Sequence, residues 1–340
     1  MAQAYRAETG SRGSGAARSG SRLRRLRGDW RPDRGSLRRG LVLAFFAVVL
    51  ALVMAVHSYI PNAVGNLGSL IETFLPWLGL GVPLLLLLGF ARKSLTAVVA
   101  VVLPAAVWVN LFGSLVFDKA GTGGDLTVVT HNVNAGNPDP EGTAHKVAAS
   151  GADVVALEEL SPQAMPAYKR ALARTYRYHT VEGTVGLWSK HPLSDSRPVD
   201  IKMGWTRALR TTVNTPQGDV AVYVAHLPSV RVKADAGFTA GQRDNSAEAL
   251  GIAIRDEPVE KVVLLGDLNG TMNDRALAPV TSQLRSTQGA AGDGFGFSWP
   301  AGFPAARIDQ IMVRDVEPEA SWTLPGTDSD HLPLAARVSL

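Results

Sequence analysis

The sequence predicts a mixed α/β domain preceded by three transmembrane helices. Three long apolar stretches lie between residues 41 and 117, and a strongly basic segment precedes them. From Leu126 onward, short runs of β-branched residues alternate with polar helical stretches and Gly/Pro turns, which is typical of an α/β domain. The chain has no cysteine, which excludes disulfides, thiolate metal sites and cysteine nucleophiles.

Residues 1–40 are predicted to be a disordered basic tail. They contain eleven Arg against three acidic residues, a net charge of +8 when the whole chain carries +4. Large apolar residues are scarce there, so the segment cannot bury enough surface to fold. The simpler interpretation is a signal that keeps the N-terminus in the cytoplasm, and the alternative is an arm that binds nucleic acid or anionic lipid.

The region 41–117 is predicted to form three transmembrane helices. Each stretch reaches the roughly 20 residues that a helix needs to cross about 30 Å of hydrocarbon. Glu72, near the start of the second stretch, is expected to reach the membrane interface. The predicted spans are Leu41–Ile60, Leu70–Phe90 and Leu95–Phe117.

Basic residues predict the orientation of these spans. The basic tail and the short loop with Arg92 and Lys93 are both expected in the cytoplasm, since cytoplasmic loops are enriched in Lys and Arg. Three spans then place residues 118–340 outside the cell, in a multi-pass protein of the cell membrane. Residues 118–125 are predicted to be a short flexible linker of at most roughly 28 Å, which keeps the domain 126–340 close to the lipid surface.

The domain 126–340 is predicted to contain eight strands and three helices. Pro216 to Asp219 is predicted to be the turn of a hairpin. The predicted helices are Glu141–Ser150, Gln163–Ala173 and Asn245–Ile254. The predicted strands are Leu126–Thr130, Val154–Leu157, Val185–Trp188, Leu209–Asn214, Val220–Ala225, Val262–Leu265, Ile308–Val313 and Ala335–Val338.

Polar residues that can handle phosphate or a metal ion stand at the ends of these strands. Carboxylates and imidazoles avoid the cost of burial at strand ends by pointing into a wet cleft, so we expect them to share one rim. Taken singly, each has a simpler explanation as a turn, a cap or a structural residue; the hypothesis depends on the whole set. Its members are Asn132, Glu159, His226, Asp267, Asn269, Asp309, Asp330 and His331.

The order of these motifs resembles the endonuclease/exonuclease/phosphatase family, which includes type I deoxyribonucleases and inositol polyphosphate 5-phosphatases. The resemblance covers nearly all of residues 126–340 and implies the four-layer α/β/β/α sandwich of the DNase I-like fold. The matching segments are Thr-His-Asn-Val (130–133), Asp-Val-Val-Ala-Leu-Glu-Glu (153–159), Gly-Leu-Trp-Ser-Lys-His-Pro-Leu (186–193), Ala-His-Leu (225–227), Gly-Asp-Leu-Asn (266–269), Arg-Ile-Asp (307–309) and Ser-Asp-His (329–331).

The resemblance implies a hydrolase in which an activated water attacks phosphorus beside a divalent metal ion. His331 looks like the general base, and Asp309 looks like the carboxylate that orients its imidazole. Glu159 and Asp330 look like the metal-side carboxylates. Hard oxygen ligands of this kind suit Mg²⁺ or Mn²⁺.

The remaining motif residues are implied to handle the nucleophile and the phosphate. Asp267 and Asn269 look like the pair that aligns them, and Asn132, Asn269 and His226 look like donors to phosphoryl oxygens.

Two positions depart from the family pattern. Some members carry an acid two residues after the Asn of the first motif, where this chain has Asn134. This disfavours a two-metal site. The Gln that precedes the metal-binding Glu in the family is Glu158 here, which could add charge or face solvent.

We consider three hypotheses for the function of the domain 126–340. Three spans followed by an extracytoplasmic phosphatase-like domain resemble the actinobacterial teicoplanin-resistance membrane proteins (VanJ-type), which implies a lipid-phosphate substrate such as undecaprenyl pyrophosphate and a role in antibiotic resistance. An extracellular nuclease is less favoured, because residues 118–340 carry a net charge of −5 and nucleic-acid binding surfaces are basic. A binding module that has lost the chemistry is the third, which the complete set of motif residues disfavours.

Five further residues have two interpretations each. Arg207 and Arg210 are candidate phosphate contacts or ordinary surface arginines. Trp205, Trp299 and Phe303 are expected in the core, with contact to lipid as the alternative.

Overall fold

The computed structural model describes residues 34–63, 65–233 and 237–340, and these form two compact units. The first unit comprises the described residues up to Leu52 together with Gly79–Val107. The second comprises the described residues from Val53 to Leu78 and from Trp108 to Leu340. The predicted tail 1–40 lies outside the described residues except for its end, where Arg34 already begins a helix.

The first unit is built from apolar helices. Ala47, Leu85 and Val101 form its buried apolar cluster. The helices that contribute to this unit are α1 (Arg34–Ala55), α3 (Gly81–Ala91), α4 (Leu95–Ala100) and α5 (Val102–Phe112), and α2 (Leu67–Thr73) belongs to the second unit.

The three predicted spans correspond to helices of different length and straightness in the structure. Among the described residues, only the helical stretch Leu95–Leu115 is long and apolar enough by itself to cross a membrane, with a mean hydropathy of 2.2. The apolar helix Gly40–Ala55 is shorter. The second predicted span is a pair of helices, Leu67–Thr73 and Leu75–Ala91, bent by 72°. The bend lies next to Pro76, which has no backbone N–H to continue the helical ladder.

The second unit contains two six-stranded sheets. In chain order its strands are β1 (Leu126–Asn132), β2 (Val154–Glu158), β3 (Tyr178–Glu182), β4 (Val185–Ser189), β5 (Leu193–Pro198), β6 (Ala208–Thr215), β7 (Gly218–Ala225), β8 (Arg231–Lys233), β9 (Gly237–Thr239), β10 (Val262–Asp267), β11 (Arg285–Ser286), β12 (Asp309–Arg314), β13 (Glu317–Thr323) and β14 (Leu334–Ser339). The first sheet has the order β13-β14-β1-β2-β4-β3, and the second has the order β11-β12-β10-β7-β6-β5. The short strands β8 and β9 form a hairpin of their own.

Helices cover the outer faces of both sheets, giving four layers. The remaining helices are α6 (Pro140–Ala148), α7 (Met165–Leu172), α8 (Gly241–Arg255), α9 (Ala278–Thr281) and α10 (Thr287–Ala291). Alternate residues of the strands, such as Val128 and Val222, fill the core between the sheets. The opposite residues pack under helices, as Leu157 does beside Leu172 of α7 and Leu264 does beside Leu250 of α8. The structure therefore has the α/β/β/α layering that the family resemblance implies.

All eight predicted strands and all three predicted helices are confirmed, with ends shifted by a few residues. The hairpin turn before Gly218 is also confirmed, since β6 and β7 pair from Thr215 and Gly218 onward. The strands that the sequence did not predict include β3 and β5, which lie at the sheet edges. Their side chains are partly or largely exposed, so they lack the apolar alternation by which a strand is recognised.

The segment Val53–Leu78 packs on the rest of the second unit, which corrects the expectation for Glu72. Its carboxylate is fully buried instead of reaching a membrane interface. Glu72 accepts a hydrogen bond from the backbone N–H of Arg275 at 3.3 Å, and its other oxygen lies 3.7 Å from Arg275 Nε. Arg275 also donates to the carbonyl of Ile60. A polar contact of this kind ties the segment to the loop that follows β10.

The predicted linker 118–125 is hydrogen-bonded to the edge of the first sheet. The N–H of Gly121 donates to the carbonyl of Glu319 at 2.6 Å, and that of Asp125 donates to Val338 at 2.8 Å. The side chain of Arg337 donates to the carbonyl of Gly121 at 2.8 Å. These bonds hold the segment in place along β13 and β14, in contrast to the expected flexibility.

Arg210 is buried, and neither predicted role applies to it. Its guanidinium donates to Glu257 through Nε at 2.9 Å and Nη2 at 2.8 Å, and Tyr223 adds a third bond at 2.8 Å. The core expectation is also wrong for Trp205 and Phe303, which are exposed by 59% and 71%.

We predict that Glu257→Gln lowers the free energy of unfolding by about 3 kcal/mol at pH 7, because it removes the buried counter-charge of Arg210 and leaves only the exposed Asp195, whose Oδ2 lies 2.7 Å from Arg210 Nη1. Burial opposes ionisation, but Arg210 and Tyr223 lower the pKa of Glu257 to about 2. The stabilisation is therefore complete above the unfolded-state pKa near 4.5 and is lost as the pH falls toward 2.

Urea unfolding of the two proteins from pH 3 to pH 8 measures this difference. The exposed Glu248→Gln serves as the matched control and should behave as wild type. A difference that stays constant across this pH range would contradict the assignment.

Candidate active site

The directions of the strands bring the predicted polar residues to one rim. β1 and β2 are parallel and end together, with Asn132 beside Glu158. β7 and β10 are also parallel, so His226 and Asp267 follow neighbouring strands at the same edge. β12 runs antiparallel to β10, which places Asp309 at its start directly opposite Asp267. Polar residues from distant parts of the chain therefore meet where the two sheets end.

Asp309 and His331 form a buried pair. His331 Nδ1 lies 2.9 Å from Asp309 Oδ2 and 3.1 Å from Oδ1. Ser298 donates to the same carboxylate at 2.6 Å. The carboxylate of Asp309 therefore fixes the imidazole of His331 through Nδ1 and leaves Nε2 facing Asp267 at 3.9 Å.

Asp267 is the centre of a second network. It accepts hydrogen bonds from the side chain of Asn132 at 3.0 Å, across the two sheets, and from the backbone N–H of Asn269 at 2.9 Å. Asn269 also donates from its side chain to Asp267 at 3.2 Å and to the carbonyl of Leu227 at 3.0 Å. Glycine is required at position 266, just before Asp267, because a Cβ there would lie 1.9 Å from the carbonyl oxygen of Ala225.

The two carboxylates and the imidazole shift one another's pKa values. Burial, together with Asp309, raises the pKa of Asp267 to about 7. Burial also opposes the ionisation of Asp309, but His331 and Ser298 bring its pKa below its ordinary value. For His331, burial is outweighed by Asp309 and Asp267, which raise the pKa to about 10. These neighbours favour the protonated form of the His331 imidazole and the ionised form of the Asp309 carboxylate.

Glu159 and His226 lie on the other side of Asp267. His226 Nε2 is 3.6 Å from Glu159 Oε1 and 3.7 Å from Asp267 Oδ2. The guanidinium of Arg207 lies against the His226 ring. Burial, with Arg207 and His331, lowers the pKa of His226 well below its usual value. The neutral imidazole can therefore donate a hydrogen bond to an anionic oxygen.

Asp330 lies beside the loop that follows β1. Asn134, the residue that replaces an acid in the family pattern, donates to Asp330 Oδ1 at 2.9 Å. The backbone N–H of the next residue, Ala135, donates to Glu159 Oε2 at 3.0 Å. One short loop therefore contacts both carboxylates that the sequence suggests as metal ligands. Asn134 and Glu159 both adopt a left-handed φ, near 60°, which is uncommon outside glycine.

The oxygen donors present here fit a hard divalent cation. Glu159 is one-third exposed, Asp330 is exposed, and in the described part of the chain neither forms an ion pair with Lys or Arg. A second group, Asp267, Asp309 and His331, has one ligand atom from each within 4.8 Å of the others. That group is already hydrogen-bonded internally and buried, so the accessible carboxylates are better placed to take an ion that keeps several waters.

Glu158 does not face solvent, which was one of its two sequence interpretations. It is fully buried, and Oε1 accepts a hydrogen bond from Thr130 at 2.8 Å. Burial raises the pKa of Glu158 well above its ordinary value. The side chain therefore occupies the same kind of buried position that a Gln of similar shape could fill.

Three residues that support the site were not assigned this role from the sequence. Ser298 contacts Asp309, and Ser329 Oγ donates to the carbonyl of Asn132 at 2.7 Å. Arg207, a candidate phosphate contact, lies against His226. Ser329 belongs to a motif that was recognised, whereas no pattern near Ser298 indicated a catalytic neighbour.

Comparisons with known proteins agree with this geometry. The model of the Endonuclease/Exonuclease/phosphatase family matches residues 129–331. No curated protein matches the chain.

Solved structures with low sequence identity share the fold. D. rerio TDP2 complexed with single strand DNA product has a TM-score of 0.53 at 19% identity, over 63% of this chain and 99% of that one. The endonuclease/exonuclease/phosphatase from Bacteroides vulgatus has a TM-score of 0.53 at 15% identity, over 63% of this chain and 98% of that one. The one from Beutenbergia cavernae DSM 12333 has a TM-score of 0.50 at 20% identity, over 64% and 72%.

The family model spans more than half of the chain and includes every residue of the polar rim described above. Members of this family are hydrolases of phosphoric esters that depend on divalent metal ions. The chain therefore belongs to the endonuclease/exonuclease/phosphatase family and is a metal-dependent phosphoric ester hydrolase.

Proposed function

We propose that this protein is a membrane-anchored phosphoesterase that hydrolyses a phosphate or pyrophosphate ester of a lipid. The observation that carries the hydrolytic part is the pair of Asp309 and His331 placed opposite Asp267 at the common rim. Glu159 and Asp330 would hold the metal ion, for which we propose Mg²⁺ or Mn²⁺.

The residues of the rim suit attack by water on phosphorus. Asn132, Asn269 and His226 donate hydrogen bonds to the phosphoryl oxygens and orient them. Asp267 aligns the water, and His331 Nε2 accepts its proton as the new O–P bond forms and the ester O–P bond breaks. Asp309 holds the imidazole through Nδ1. Bound Mg²⁺ or Mn²⁺ would neutralise charge on the phosphoryl oxygens and favour the neutral form of His331.

The lipid substrate and the location are further parts of the proposal. Apolar helices come before the catalytic domain in the chain, and the segment Val53–Leu78, in the same compact unit as the site, packs beside the loop that follows Asn269. A substrate held in a membrane would be close to such a site. The basic residues of the tail and of the Arg92–Lys93 loop support a cytoplasmic N-terminus and an extracellular domain with three spans. The resemblance to the VanJ-type proteins suggests an undecaprenyl pyrophosphate-like lipid and a role in antibiotic resistance.

A nuclease or phosphodiesterase is the second candidate. Its support is the similarity of the fold to TDP2, a structure solved with a single strand DNA product. The net charge of −5 over residues 118–340 disfavours tight binding of nucleic acid.

We expect His331→Ala and Asp267→Asn each to lower metal-dependent phosphate release by about 10² to 10⁴-fold, because each removes a group that handles the proton or the water. Glu159→Gln should instead raise the Mg²⁺ concentration needed for half-maximal rate by about 10-fold or more. Phosphate release by the full chain in neutral detergent, titrated with Mg²⁺ and Mn²⁺, measures both effects.

Glu158→Gln is the matched control for Glu159→Gln. It should keep the rate and the metal dependence of the wild type, since the Gln side chain has nearly the same shape and its oxygen can accept the hydrogen bond from Thr130. Unchanged rates in the His331 and Asp267 variants would refute their roles. An equal effect of the two Glu variants would refute the metal assignment.

The substrate class is tested with the full chain on four substrates in Mg²⁺: undecaprenyl pyrophosphate, a phosphodiester, single-stranded DNA and a soluble phosphomonoester. We expect the lipid pyrophosphate to be hydrolysed with the highest kcat/KM. The full chain is needed because truncation at residue 118 would remove Glu72 from its partner Arg275. DNA cleavage that is faster than lipid hydrolysis and falls steeply with salt would favour the nuclease.

The orientation predicts that a reporter fused after Leu340 is active only outside the cytoplasm. A pair of fusions, one after Leu340 and one after Arg92, should give opposite results in an alkaline phosphatase assay in bacterial cells. Activity of the Leu340 fusion inside the cytoplasm would overturn the three-span orientation.

A further inference from the structure

A cavity of about 230 Å³ lies in the catalytic unit, behind the strand that carries Asp309. Its walls come from the segment near Pro76, from residues 111–115, from the loop after β10, and from residues near α10 and β12. Asp309 turns toward His331, while Gln310, the next residue along β12, lines the cavity. Since successive side chains of a strand point to opposite faces, the cavity is separate from the catalytic cleft.

One wall of the cavity is aromatic and apolar. Phe295 stacks on Phe297 with ring centroids 5.2 Å apart, and Phe112 packs on Phe295 at 6.0 Å. Leu111 and Leu115 extend this surface. They belong to the stretch Leu95–Leu115, the one described helical stretch that is long and apolar enough to span a membrane. Such a wall suits a hydrocarbon chain.

The lining of the cavity also includes polar atoms without partners. Arg307 is 7% exposed, and only its Nη1 has a hydrogen-bond partner, the carbonyl of Gly296 at 2.8 Å. Within the described residues, Arg307 Nε and Nη2 and the side-chain oxygens of Gln288 and Gln310 have none. A buried guanidinium with two unpaired donors is costly. The unmet donors and acceptors therefore indicate a ligand.

The charge of the cavity lining indicates the charge of the ligand's head group. Arg307 is the one charged side chain of its lining, which includes no Asp or Glu. The guanidinium forms its strongest hydrogen bonds with carboxylate and phosphate oxygens. Water could pair with the polar atoms of the lining. It does not suit the aromatic part, because a buried water needs about two to four polar partners.

We propose that this cavity binds an anionic amphiphile, with its acidic head group on Arg307 and its chain against Phe112, Phe295 and Phe297. The site is distinct from the catalytic cleft, so this inference does not depend on the identity of the substrate. Its occupant would contact Arg307 and Gln310, the two residues that flank the Ile308–Asp309 step of the catalytic strand.

The test counts the amphiphiles retained by the full chain in neutral detergent, using native mass spectrometry. The probes are dodecylphosphonate, dodecanoate, methylphosphonate and dodecyl maltoside. We expect one dodecylphosphonate per chain, and at least ten-fold weaker retention of methylphosphonate, which lacks the chain, and of dodecyl maltoside, which lacks the charge. Comparing dodecanoate with dodecylphosphonate tells a fatty acid site from a lipid-phosphate site.

Variants separate this cavity from the catalytic cleft. Arg307→Gln should weaken retention of dodecylphosphonate at least ten-fold. Gly289→Leu should do the same by filling the cavity, and a Cβ at Gly289 meets no atom closer than 3.6 Å, so this variant should fold. Arg314→Gln, at the other end of β12, is the matched control and should bind as wild type.

His331→Ala should also retain the amphiphile, even though it abolishes hydrolysis. Equal retention by Arg307→Gln and wild type would overturn the proposal. Loss of retention in His331→Ala would place the amphiphile in the catalytic cleft and would overturn it as well. Failure of hydrolysis in the wild type, with retention intact, would count against the proposed function alone.

Discussion

Two carboxylates placed side by side in the protein interior are the constraint on which the rest of the site depends. Asp267 and Asp309 lie opposite each other on neighbouring strands, and each is 1% exposed. Their mutual repulsion would destabilise the fold unless cations or donors compensate it. His331 supplies the positive charge, while Asn132 donates to Asp267 and Ser298 to Asp309. The geometry that stabilises these acids also presents Nε2 of the imidazole to the cleft.

The hydrogen bond between Asn132 and Asp267 joins the two sheets at their common end. Asn132 and Asp267 are the last residues of strands that are otherwise apolar and buried. The two sheets therefore pack by hydrophobic contact along their length. At the rim this packing gives way to polar contacts that have a defined direction. A shift of one sheet by a single residue would separate Asn132 from its partner, and the site therefore depends on the register of the whole sandwich.

The segment Val53–Leu78 gives the catalytic unit a feature that lies before the family's own motifs. The buried contact of Glu72 with Arg275 holds it next to the loop that follows Asn269. The cavity with Arg307 lies between this segment, residues 111–115 and the outer face of β12. Residues from apolar stretches therefore form part of the structure that supports the catalytic strands.

The sequence by itself determined the eight main strands, the order of the motifs and the candidates for the site, because apolar alternation and strand-end polar residues are local patterns. Tertiary structure decided the rest. The edge strands β3 and β5 are polar and form by pairing with a neighbour. Arg210 is buried with its partner Glu257, and Glu158 is buried with its partner Thr130 on a neighbouring strand. No local pattern in the sequence reveals either pair. Glu72 looked like the start of a span, yet a contact with a residue about 200 positions later buries it. Long-range contacts of this kind depend on the packing of complete layers, and so they become visible only in the folded chain.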